Sequence, residues 1–432
     1  MGKGAAVAEE EEGWPGGDGL GGWRERPAGP PRSRTMPDHL QPHRKPDHPA
    51  CPPQRRRSGS GAPQIALPFV APSTSAIRPI SITPEISDFL AQGAAVAIGV
   101  SGGKDSQAAA MATFEHLDRI GHTGPRLLIH ADLGSVEWAD SLPTCERLSD
   151  HLGAELVVVR RKQGGLMDRW ESRWRSNVAR YENLSTVTLV PCWSTPAMRF
   201  CTSELKTSKI HAELKRRFTR LPIISVIGVR REESPQRTRA AIMDHRPGER
   251  IWTWRPILDW SETEVFASLD AWGIDPHPAY RQFGLSRVSC RFCIMSSLAD
   301  LTAAAAQPET HDLYRHMVGL EARSTFAFQG PARWLGDIAP CLLQPRTRDL
   351  LAAAKDKAAR RRAAEQRLTK PMLYVKGWPT RMLTDGEADL LAEVRRDVSS
   401  MLGLRARYLD RASIHARYAE LLDLHMSRGR AE

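Results

Sequence analysis

Short apolar runs alternate with segments of helical character through the middle of the chain. The apolar runs cover residues 94–100, 127–132, 155–161 and 222–229. The segments between them that have the composition of helices are residues 105–120, 136–152 and 204–218. Short buried strands that alternate with helices are typical of a parallel sheet covered on both faces. The pattern therefore predicts a doubly wound α/β fold with its functional loops at the carboxyl ends of the strands.

A capping box marks the start of a further helix. Ser261 and Glu264 have the spacing at which a hydroxyl and a carboxylate bind the free amides of a first helical turn, and this helix is predicted to reach Trp272. The helical segments beyond it are residues 296–323, 350–368, 385–402 and 412–426. We therefore expect an α/β domain over residues 76–300 and a mainly helical region over residues 301–432.

Residues 1–75 differ from the rest of the chain in composition. They contain 11 glycines and 13 prolines and show no hydrophobic periodicity. A segment of this kind has too few apolar side chains in register to bury a core. The composition therefore predicts a disordered tail.

The net charge is concentrated near the C-terminus. The chain of 432 residues has a formal net charge of +11, and seven of these eleven charges lie in residues 344–432. An excess of basic residues suits a polyanionic partner, so this region is a candidate for nucleic-acid binding, with Arg362, Arg395 and Arg396 among the candidate phosphate contacts. A solvated helical surface is the alternative explanation.

Hydropathy and cysteine content indicate the compartment. No apolar run is long enough to cross a bilayer, and the acidic N-terminus lacks the apolar core of a secretory signal. Seven cysteines spread over a long chain do not form a disulfide framework. These features predict a cytoplasmic protein without a membrane partner.

The sequence SGGKDS lies between the first apolar run and the first helical segment. Gly102 and Gly103 allow a tight turn whose backbone approaches an anion closely. The amides of such a turn and the N-terminus of the following helix attract phosphate, Ser101 and Ser106 can donate hydroxyl hydrogen bonds, and Lys104 can neutralise charge. The loop therefore predicts a phosphate site. The alternative is an ordinary strand–turn–helix connection built from small residues.

The SGGKDS loop resembles the signature of the PP-loop ATP pyrophosphatases, the adenine nucleotide alpha-hydrolase superfamily. Members of this superfamily cleave ATP between the α and β phosphates, transfer adenylate to a substrate and release pyrophosphate. The resemblance implies that ATP and Mg²⁺ are cofactors and that Lys104 and Asp105 have catalytic roles. The loop residues implied to bind the nucleotide are Ser101, Gly102, Gly103, Lys104, Asp105 and Ser106.

Further motifs are similar to those of phosphoadenosine phosphosulfate (PAPS) reductases and occur in the same order, from about residue 85 to residue 300. HADLG at 130–134, followed by Glu137, resembles the H-x-D-T-G…E element, with leucine in place of threonine. GVRREESPQR at 228–237 resembles G-x-R-x-x-E-S-x-x-R, and WRPILDW and HPAY follow it. The resemblance implies a catalytic and nucleotide-binding role for Asp132. The other residues implied to bind the nucleotide or its oxyanions are Glu137, Arg230, Arg231 and Arg237.

Local sequence alone supports simpler roles for these residues. Asp132 is also a suitable turn or helix-capping residue. Adjacent arginines after a strand suit bidentate binding of phosphate or sulfate, but they also suit a solvated basic loop.

The strongest metal-binding signal is the C-x2-C motif of Cys290 and Cys293. Two thiolates at this spacing can bind one metal or cluster, and Cys192 and Cys201 are candidates for the remaining ligands. Local sequence leaves open a zinc site, a [4Fe–4S] cluster, a redox-active dithiol and buried inert thiols.

The resemblance favours the cluster. Cluster-bearing PAPS and adenylyl-sulfate reductases use a Cys-Cys pair and a later C-x2-C, and Cys201, Cys290 and Cys293 match three of these four positions. Phe200 occupies the fourth position. The resemblance therefore implies a [4Fe–4S] cluster that is either completed by Cys192 or left with an open iron, with Zn²⁺ as the alternative.

Two departures separate the chain from the reductases that it resembles. Those enzymes attack the sulfate sulfur with a cysteine in a C-terminal E-C-G-x-H motif, whereas here no cysteine follows Cys341. They also often lose the SGGKDS sequence, which is intact here. Both departures favour ATP cleavage, and the features are nearest to the sulfurtransferases of DNA phosphorothioation. The resemblance then implies iron–sulfur-assisted sulfur transfer to a nucleic acid or small molecule, with a cysteine desulfurase as sulfur donor.

Two alternatives to this function stay open at the level of sequence. One is a phosphoadenylyl-sulfate or adenylyl-sulfate reductase of sulfur assimilation. The other is a non-catalytic protein that binds a nucleotide or nucleic acid as a partner.

Overall fold

A six-stranded sheet lies at the centre of the computed structural model, which describes residues 78–429. The predicted tail over residues 1–75 therefore lies outside the described residues. In chain order the strands are β1 Ala95–Gly99, β2 Arg126–Asp132, β3 Glu155–Arg160, β4 Ile223–Ile227, β5 Met243–His245 and β6 Ile251–Trp254.

The strand order across the sheet is β3-β2-β1-β4-β6-β5, and β5 alone runs antiparallel to its neighbour in this sheet. The predicted α/β class is confirmed. The sequence pattern identified β1 to β4 but missed β5 and β6, because both are short and neither forms a continuous apolar run.

Helices connect the strands and continue beyond the sheet. Those of the sheet-containing part are α1 Pro84–Ala91, α2 Lys104–Arg119, α3 Ser141–Leu152, α4 Leu166–Glu182, α5 Phe200–Thr202, α6 Ser208–Arg217, α7 Pro235–Thr238, α8 Glu262–Ala271 and α9 Pro278–Arg281. The later ones are α10 Leu298–Ala305, α11 His311–Ser324, α12 Pro345–Glu365, α13 Asp385–Leu402 and α14 Arg411–Gly429. The predicted mainly helical C-terminal region is therefore confirmed.

Two of the predicted helices are interrupted in the structure. The segment over 296–323 is divided into α10 and α11 by a 3-10 turn that begins at Pro308, since proline cannot donate the helical hydrogen bond. A π-helical turn, Ser203–Thr207, joins α5 to α6 where one helix was predicted. The capping box at Ser261 is present and starts α8, as predicted.

The two faces of the sheet pack in separate cores. Val96 and Ile98 of β1 belong to a core that includes residues of α1, α2, α3 and α8, whereas Ala97 between them packs with Leu214 of α6. Successive side chains of a strand point to opposite faces, so the sheet is covered on both sides.

The order of the strands determines where a ligand can bind. The chain passes from β1 to β2, which lies on one side of β1 in the sheet. Strands β4 and β6 lie on the other side of β1. Loops that leave β1 and β4 therefore diverge and open a crevice at the carboxyl ends of these adjacent strands. The SGGKDS loop and the GVRREES segment are the loops that follow β1 and β4.

The helical C-terminal region is anchored to the α/β part by a buried arginine. Arg395 of α13 is fully buried. Its guanidinium donates to the carbonyl oxygens of Tyr181 (2.9 Å) and Glu182 (3.3 Å) at the end of α4, and to those of Arg407 (2.7 Å) and Tyr408 (3.1 Å). This burial contradicts the prediction that Arg395 contacts nucleic-acid phosphates. Within the described part of the chain, no helix combines the length and apolarity needed to cross a bilayer.

A buried carboxylate organises the loop after α11. Glu321 is fully buried, and its carboxylate accepts hydrogen bonds from the amides of Phe328 (2.8 Å), Leu335 (2.7 Å) and Gly336 (3.0 Å). Burial raises the pKa of Glu321 from its ordinary value of 4.5 to about 7, although the amide donors act in the opposite direction.

This pKa predicts a pH-dependent stability difference for Glu321→Gln. Between pH 4.5 and 7 the folded state binds a proton that the unfolded state has released, so the contribution of Glu321 to stability falls as the pH rises through this window. We expect the free energy of unfolding of wild type, relative to Glu321→Gln, to be higher at pH 5 than at pH 8. Urea unfolding at the two pH values measures this, and an unchanged difference contradicts it.

Candidate functional site

The SGGKDS loop is a tight turn between β1 and α2. Gly102 has a φ of +75°, and a Cβ there would lie 2.9 Å from the carbonyl oxygen of Ser141, so the position requires glycine. The hydroxyl of Ser106 donates to the carbonyl oxygen of Gly103 (2.8 Å) and accepts from the amide of Ser101 (3.2 Å). These bonds hold the turn at the N-terminus of a 16-residue helix, where the helix dipole favours an anion.

Lys104 is held in a buried, polar setting at this turn, with only 3% of its surface exposed. Its Nζ lies 3.2 Å from a carboxylate oxygen of Asp105 and 3.0 Å from one of Glu262. The amide of Lys104 donates to the Tyr280 hydroxyl (3.1 Å), and the ring centroid of Tyr280 is 5.2 Å from Nζ. Burial lowers the pKa of Lys104, but Tyr280, Asp105 and Glu262 together outweigh it and raise the pKa. Lys104 is therefore a fixed positive charge at the loop.

The loop after β4 contacts the SGGKDS loop through Arg230. The Nε of Arg230 donates to a carboxylate oxygen of Asp105 (2.6 Å), and its guanidinium also pairs with Glu232. Gly228 precedes this arginine, and a Cβ at Gly228 would lie 2.3 Å from the carbonyl oxygen of Asp105. The two loops are therefore in direct backbone contact, and the structure brings Arg230 to the place that the sequence predicted.

Arg231 and Arg237 do not contact the SGGKDS loop. Arg231 donates to a carboxylate oxygen of Asp259 (2.5 Å) and to the carbonyl oxygens of Thr238 (2.9 Å) and Ala240 (2.7 Å). Arg237 pairs with Glu233 one helical turn away. Of the three predicted oxyanion-binding arginines, Arg230 alone lies against the loop. Arg231 and Arg237 instead stabilise the conformation of the segment after β4 through these contacts.

Asp132 forms the turn that ends β2. One carboxylate oxygen accepts from the amide of Gly134 (2.7 Å), and the other pairs with Arg160 (2.7 Å). This geometry agrees with the turn role that the local sequence left open. The side chain remains partly exposed at the same edge of the sheet as the SGGKDS loop.

His130 and Glu137 form a buried pair that connects β2 with the SGGKDS loop. The imidazole Nδ1 lies 3.0 Å from the carbonyl oxygen of Val100, which directly precedes the loop, and Nε2 lies 3.2 Å from the Glu137 carboxylate. Burial lowers the pKa of His130, but hydrogen bonds to Cys145 and Glu137 outweigh this effect and raise the pKa to about 10. Glu137 thus contacts a histidine here.

Several residues of this arrangement were not predicted as site residues. His130, Tyr280 and Glu262 lie in recognisable motifs, and those motifs were the available sequence signal. Their contacts with the loop depend on segments that are far apart in the chain.

Three of the four predicted cysteine ligands are close together. Burial raises the pKa of the Cys290 thiol, and the nearby thiols of Cys293 and Cys201 act in the same direction, as does Glu137. The amide of Met295 lies 3.5 Å from the sulfur of Cys293, so the chain turns back on the second cysteine of the motif. The C-x2-C loop therefore lies between Cys201 and Glu137.

Cys192 differs from the other three predicted ligands in its burial. It is fully buried, and burial raises its pKa to about 12, whereas Cys201, Cys290 and Cys293 are partly exposed. Among residues 78–429, no three His, Cys, Asp or Glu side chains are placed to hold one metal ion. The predicted cysteine ligands therefore do not form a metal-binding geometry in this structure.

The C-x2-C loop is attached to the turn after β2. The amide of Arg291, between the two cysteines, donates to the carbonyl oxygen of Val136 (2.8 Å). Val136 precedes Glu137, so the cysteine loop and the His130–Glu137 pair share one backbone segment. The phosphate loop and the cysteines are therefore parts of one continuous site.

Comparisons of the sequence with known proteins agree with this site. Residues 95–296 match the family model of the phosphoadenosine phosphosulfate reductase domain. The chain is also 29% identical over 249 residues to an uncharacterized 37.8 kDa protein of Escherichia phage 186, encoded in the gpa 5′ region. This match covers 49% of the chain and 70% of the phage protein.

Three solved structures show weaker similarity. The PAPS reductase of Candida auris in a phosphate complex is 12% identical, with 45% of this chain and 80% of that chain covered and a TM-score of 0.30. The U34-tRNA thiolase NcsA of Methanococcus maripaludis with its [4Fe–4S] cluster is 15% identical, with coverages of 55% and 74% and a TM-score of 0.33. The FMN adenylyltransferase of Candida glabrata with FAD and pyrophosphate is 12% identical, with coverages of 46% and 54% and a TM-score of 0.30. TM-scores of this size establish neither fold nor function.

The raised pKa of His130 predicts a specific effect of Glu137→Gln. Burial lowers the pKa of His130, and without the Glu137 carboxylate this effect is less strongly counteracted. We therefore expect the pKa of His130 to fall from about 10. Because the folded pKa is above the unfolded value, the His130 contribution to stability is complete below pH 6.5 and is lost as the pH rises towards 10. NMR titration of the His130 ring in both proteins measures the shift. An unchanged pKa contradicts the assignment, and Glu146→Gln on the exposed surface of α3 is the control.

Proposed function

We propose that the chain is a PAPS reductase-like PP-loop enzyme that cleaves ATP between its α and β phosphates, because residues 95–296 match the family model of the phosphoadenosine phosphosulfate reductase domain. The observation that carries this proposal is the intact SGGKDS loop at the crevice between β1 and β4, with Lys104 and Arg230 against it. The product of the step is an adenylated substrate.

In the proposed step an oxygen of the substrate attacks the α-phosphorus of ATP. The bond between this phosphorus and the α–β bridging oxygen breaks, and its electron pair leaves with pyrophosphate. The charge that develops on the leaving group is stabilised by the amides of the loop, by the N-terminus of α2 and by the ammonium group of Lys104. Arg230 contributes a second positive charge, which Asp105 holds in position.

Mg²⁺ would bind at this site together with ATP. The described residues hold no cage of three metal-ligating side chains, and Mg²⁺ is commonly bound by substrate phosphates and one or two carboxylates. Asp105 is the carboxylate of the loop itself, and Asp132 lies at the end of the neighbouring strand. We propose these two residues as its protein contacts.

We further propose that a sulfide-level sulfur nucleophile attacks the adenylated carbon of the substrate, and that AMP leaves with the electron pair of the broken carbon–oxygen bond. Cys201, Cys290 and Cys293 would bind a [4Fe–4S] cluster, with Zn²⁺ as the alternative metal, and such a cluster supplies a site for sulfide. The cysteines do not have ligand geometry in this structure, so no part of the ATP step depends on the cluster. A cysteine desulfurase as sulfur donor, a nucleic-acid acceptor bound through the C-terminal region and a cytoplasmic location complete the proposal.

The family match also favours a second candidate function. A PAPS or adenylyl-sulfate reductase would release sulfite from a sulfonucleotide with a thiol reductant and without ATP. The absence of a cysteine after Cys341 removes the residue that such reductases use as nucleophile. The ATP-cleaving function is therefore preferred.

Substitution of Lys104 tests the ATP step. We expect Lys104→Gln to lower the rate of pyrophosphate release by about 10²–10³-fold, because one fixed charge at the leaving group is lost. The assay measures pyrophosphate released from Mg-ATP with DNA and RNA as acceptors, together with ATP affinity by calorimetry.

Lys357→Gln on α12 is the matched control, since it removes a lysine outside the site and is expected to retain the wild-type rate. Circular dichroism establishes that both variants fold. Equal turnover of Lys104→Gln and wild type contradicts the ATP assignment. Thiol-dependent release of sulfite from PAPS without ATP would establish the reductase instead.

The cysteine site has a spectroscopic test that does not depend on turnover. We expect the anaerobically purified protein to be brown, with broad visible absorption and bound iron, and Cys290→Ser and Cys293→Ser to lose both. Because Cys192 is fully buried, whereas the other three cysteines are partly exposed, Cys192→Ser is expected to retain the iron. A colourless protein that contains zinc contradicts the cluster. Loss of iron in Cys192→Ser would show that this residue moves into the ligand set.

A further inference from the structure

A cavity of about 1060 Å³ lies beside the C-x2-C loop. Its walls come from residues 189–196, from residues 294–296 directly after Cys293, from residues 325–333 and from the end of α12. None of the SGGKDS residues lines it. Its volume suits a small-molecule ligand, for which cavities of about 300–1,000 Å³ are typical.

The cavity and the cysteines share one stretch of backbone. The side-chain amide of Gln329, in the cavity wall, donates to the carbonyl oxygens of Cys293 (3.1 Å), Ile294 (3.1 Å) and Ser296 (2.9 Å). At the other end of the same loop, Cys290 lies near Glu137 on the nucleotide side. The C-x2-C loop therefore contacts both the cavity wall and the turn after β2 that carries Glu137.

The cavity has a positive charge that its own residues do not neutralise. Arg361 is paired with Glu365 (2.8 Å). Arg333 and Arg362 also line the cavity, and neither has a carboxylate partner among the described residues. Two guanidinium groups at one cavity favour an anionic ligand, since guanidinium binds phosphate oxygens in a bidentate manner.

An aromatic surface lies in the same wall, where Trp193, Phe326 and Phe328 line the cavity. The guanidinium of Arg361 lies 3.9 Å from the ring centroid of Phe326, and the hydroxyl and carbonyl oxygens of Thr325 accept from it at 3.3 and 3.4 Å. Arg361 is only 3% exposed, so the accessible planar surface of this wall is the half-buried ring of Phe326, which Arg361 holds in place. Stacking on guanidinium planes and aromatic rings is a common way of binding nucleobases.

A buried hydroxyl in the wall has no partner. Ser194 is 2% exposed and lines the cavity, and its Oγ makes no hydrogen bond to any described residue. A buried polar atom without a partner is costly, and a polar ligand in the cavity would supply one. Positive charge, an aromatic surface and an unpartnered hydroxyl therefore occur together beside the cysteine loop.

We infer that this cavity binds a nucleotide unit of the sulfur acceptor, with the phosphate at Arg333 and Arg362 and the base against the ring of Phe326. The inference rests on the proposed function, because it gives the acceptor a binding site beside the cysteine loop, which also contacts the turn after β2. The unit belongs either to a free nucleotide or to a nucleic-acid strand, since both present the same base and phosphate.

Charge reversal at two neighbouring arginines of α12 tests the inference. Arg362 lines the cavity, whereas Arg360 is exposed, does not line it and pairs with Asp356 (3.7 Å). The probes are uridine monophosphate and fluorescein-labelled single-stranded DNA and RNA 12-mers. They are measured with the ATP site saturated by a non-hydrolysable ATP analogue. We expect Arg362→Glu to weaken binding about tenfold or more and Arg360→Glu to change it less than about twofold.

The source of the ligand follows from which probe binds the wild type. If uridine monophosphate binds and Arg362→Glu selectively weakens its binding, the cavity binds a free nucleotide. If only a 12-mer binds and Arg362→Glu selectively weakens its binding, the cavity binds a nucleic-acid strand. Failure of every probe to bind, or equal effects of the two substitutions, overturns the inference. If the wild-type protein does not cleave ATP, the proposed function is contradicted. The cavity is tested separately, because Arg362 does not line the ATP site and the binding assay requires no turnover.

Discussion

The ion pair between Arg230 and Asp105 joins the loops that follow β1 and β4. These are the adjacent strands at which the order of the connections across the sheet reverses. The Nε of Arg230 lies 2.6 Å from the Asp105 carboxylate, and the backbone at Gly228 is too close to Asp105 for any side chain at that position. The first turn of α2 is therefore held against the end of β4. The position of Lys104, and with it the charge at the phosphate loop, depends on this contact.

The cysteine loop extends the same site towards the helical C-terminal region. It binds the turn after β2 through Arg291 and is held on its other side by Gln329. The loop that carries Gln329 is in turn organised by the buried carboxylate of Glu321. The helical region is thus part of the structure around the cysteines, and its contribution includes a wall of the acceptor cavity that we propose.

Sequence patterns were most informative where one short segment carries the whole signal. The SGGKDS loop combines a strand end, two glycines and a helix start, so it identified both the fold class and the phosphate site. The arginines after β4 show the limit of this reasoning. Arg230, Arg231 and Arg237 have similar local surroundings in sequence, yet Arg231 turns to Asp259 and backbone carbonyls, and Arg237 pairs with Glu233. Partners that are distant in the chain determine which arginine reaches the loop.

The sequence by itself determined the alternation of strands and helices, the phosphate loop and the motif order, because hydrophobic period and turn chemistry are local properties. Tertiary structure decided which chemical groups meet. It placed His130 beside Glu137, buried Cys192 completely and buried Arg395 among carbonyl oxygens. These outcomes depend on packing between elements far apart in the chain, and a side chain is exposed, paired or buried only once those elements have been brought together.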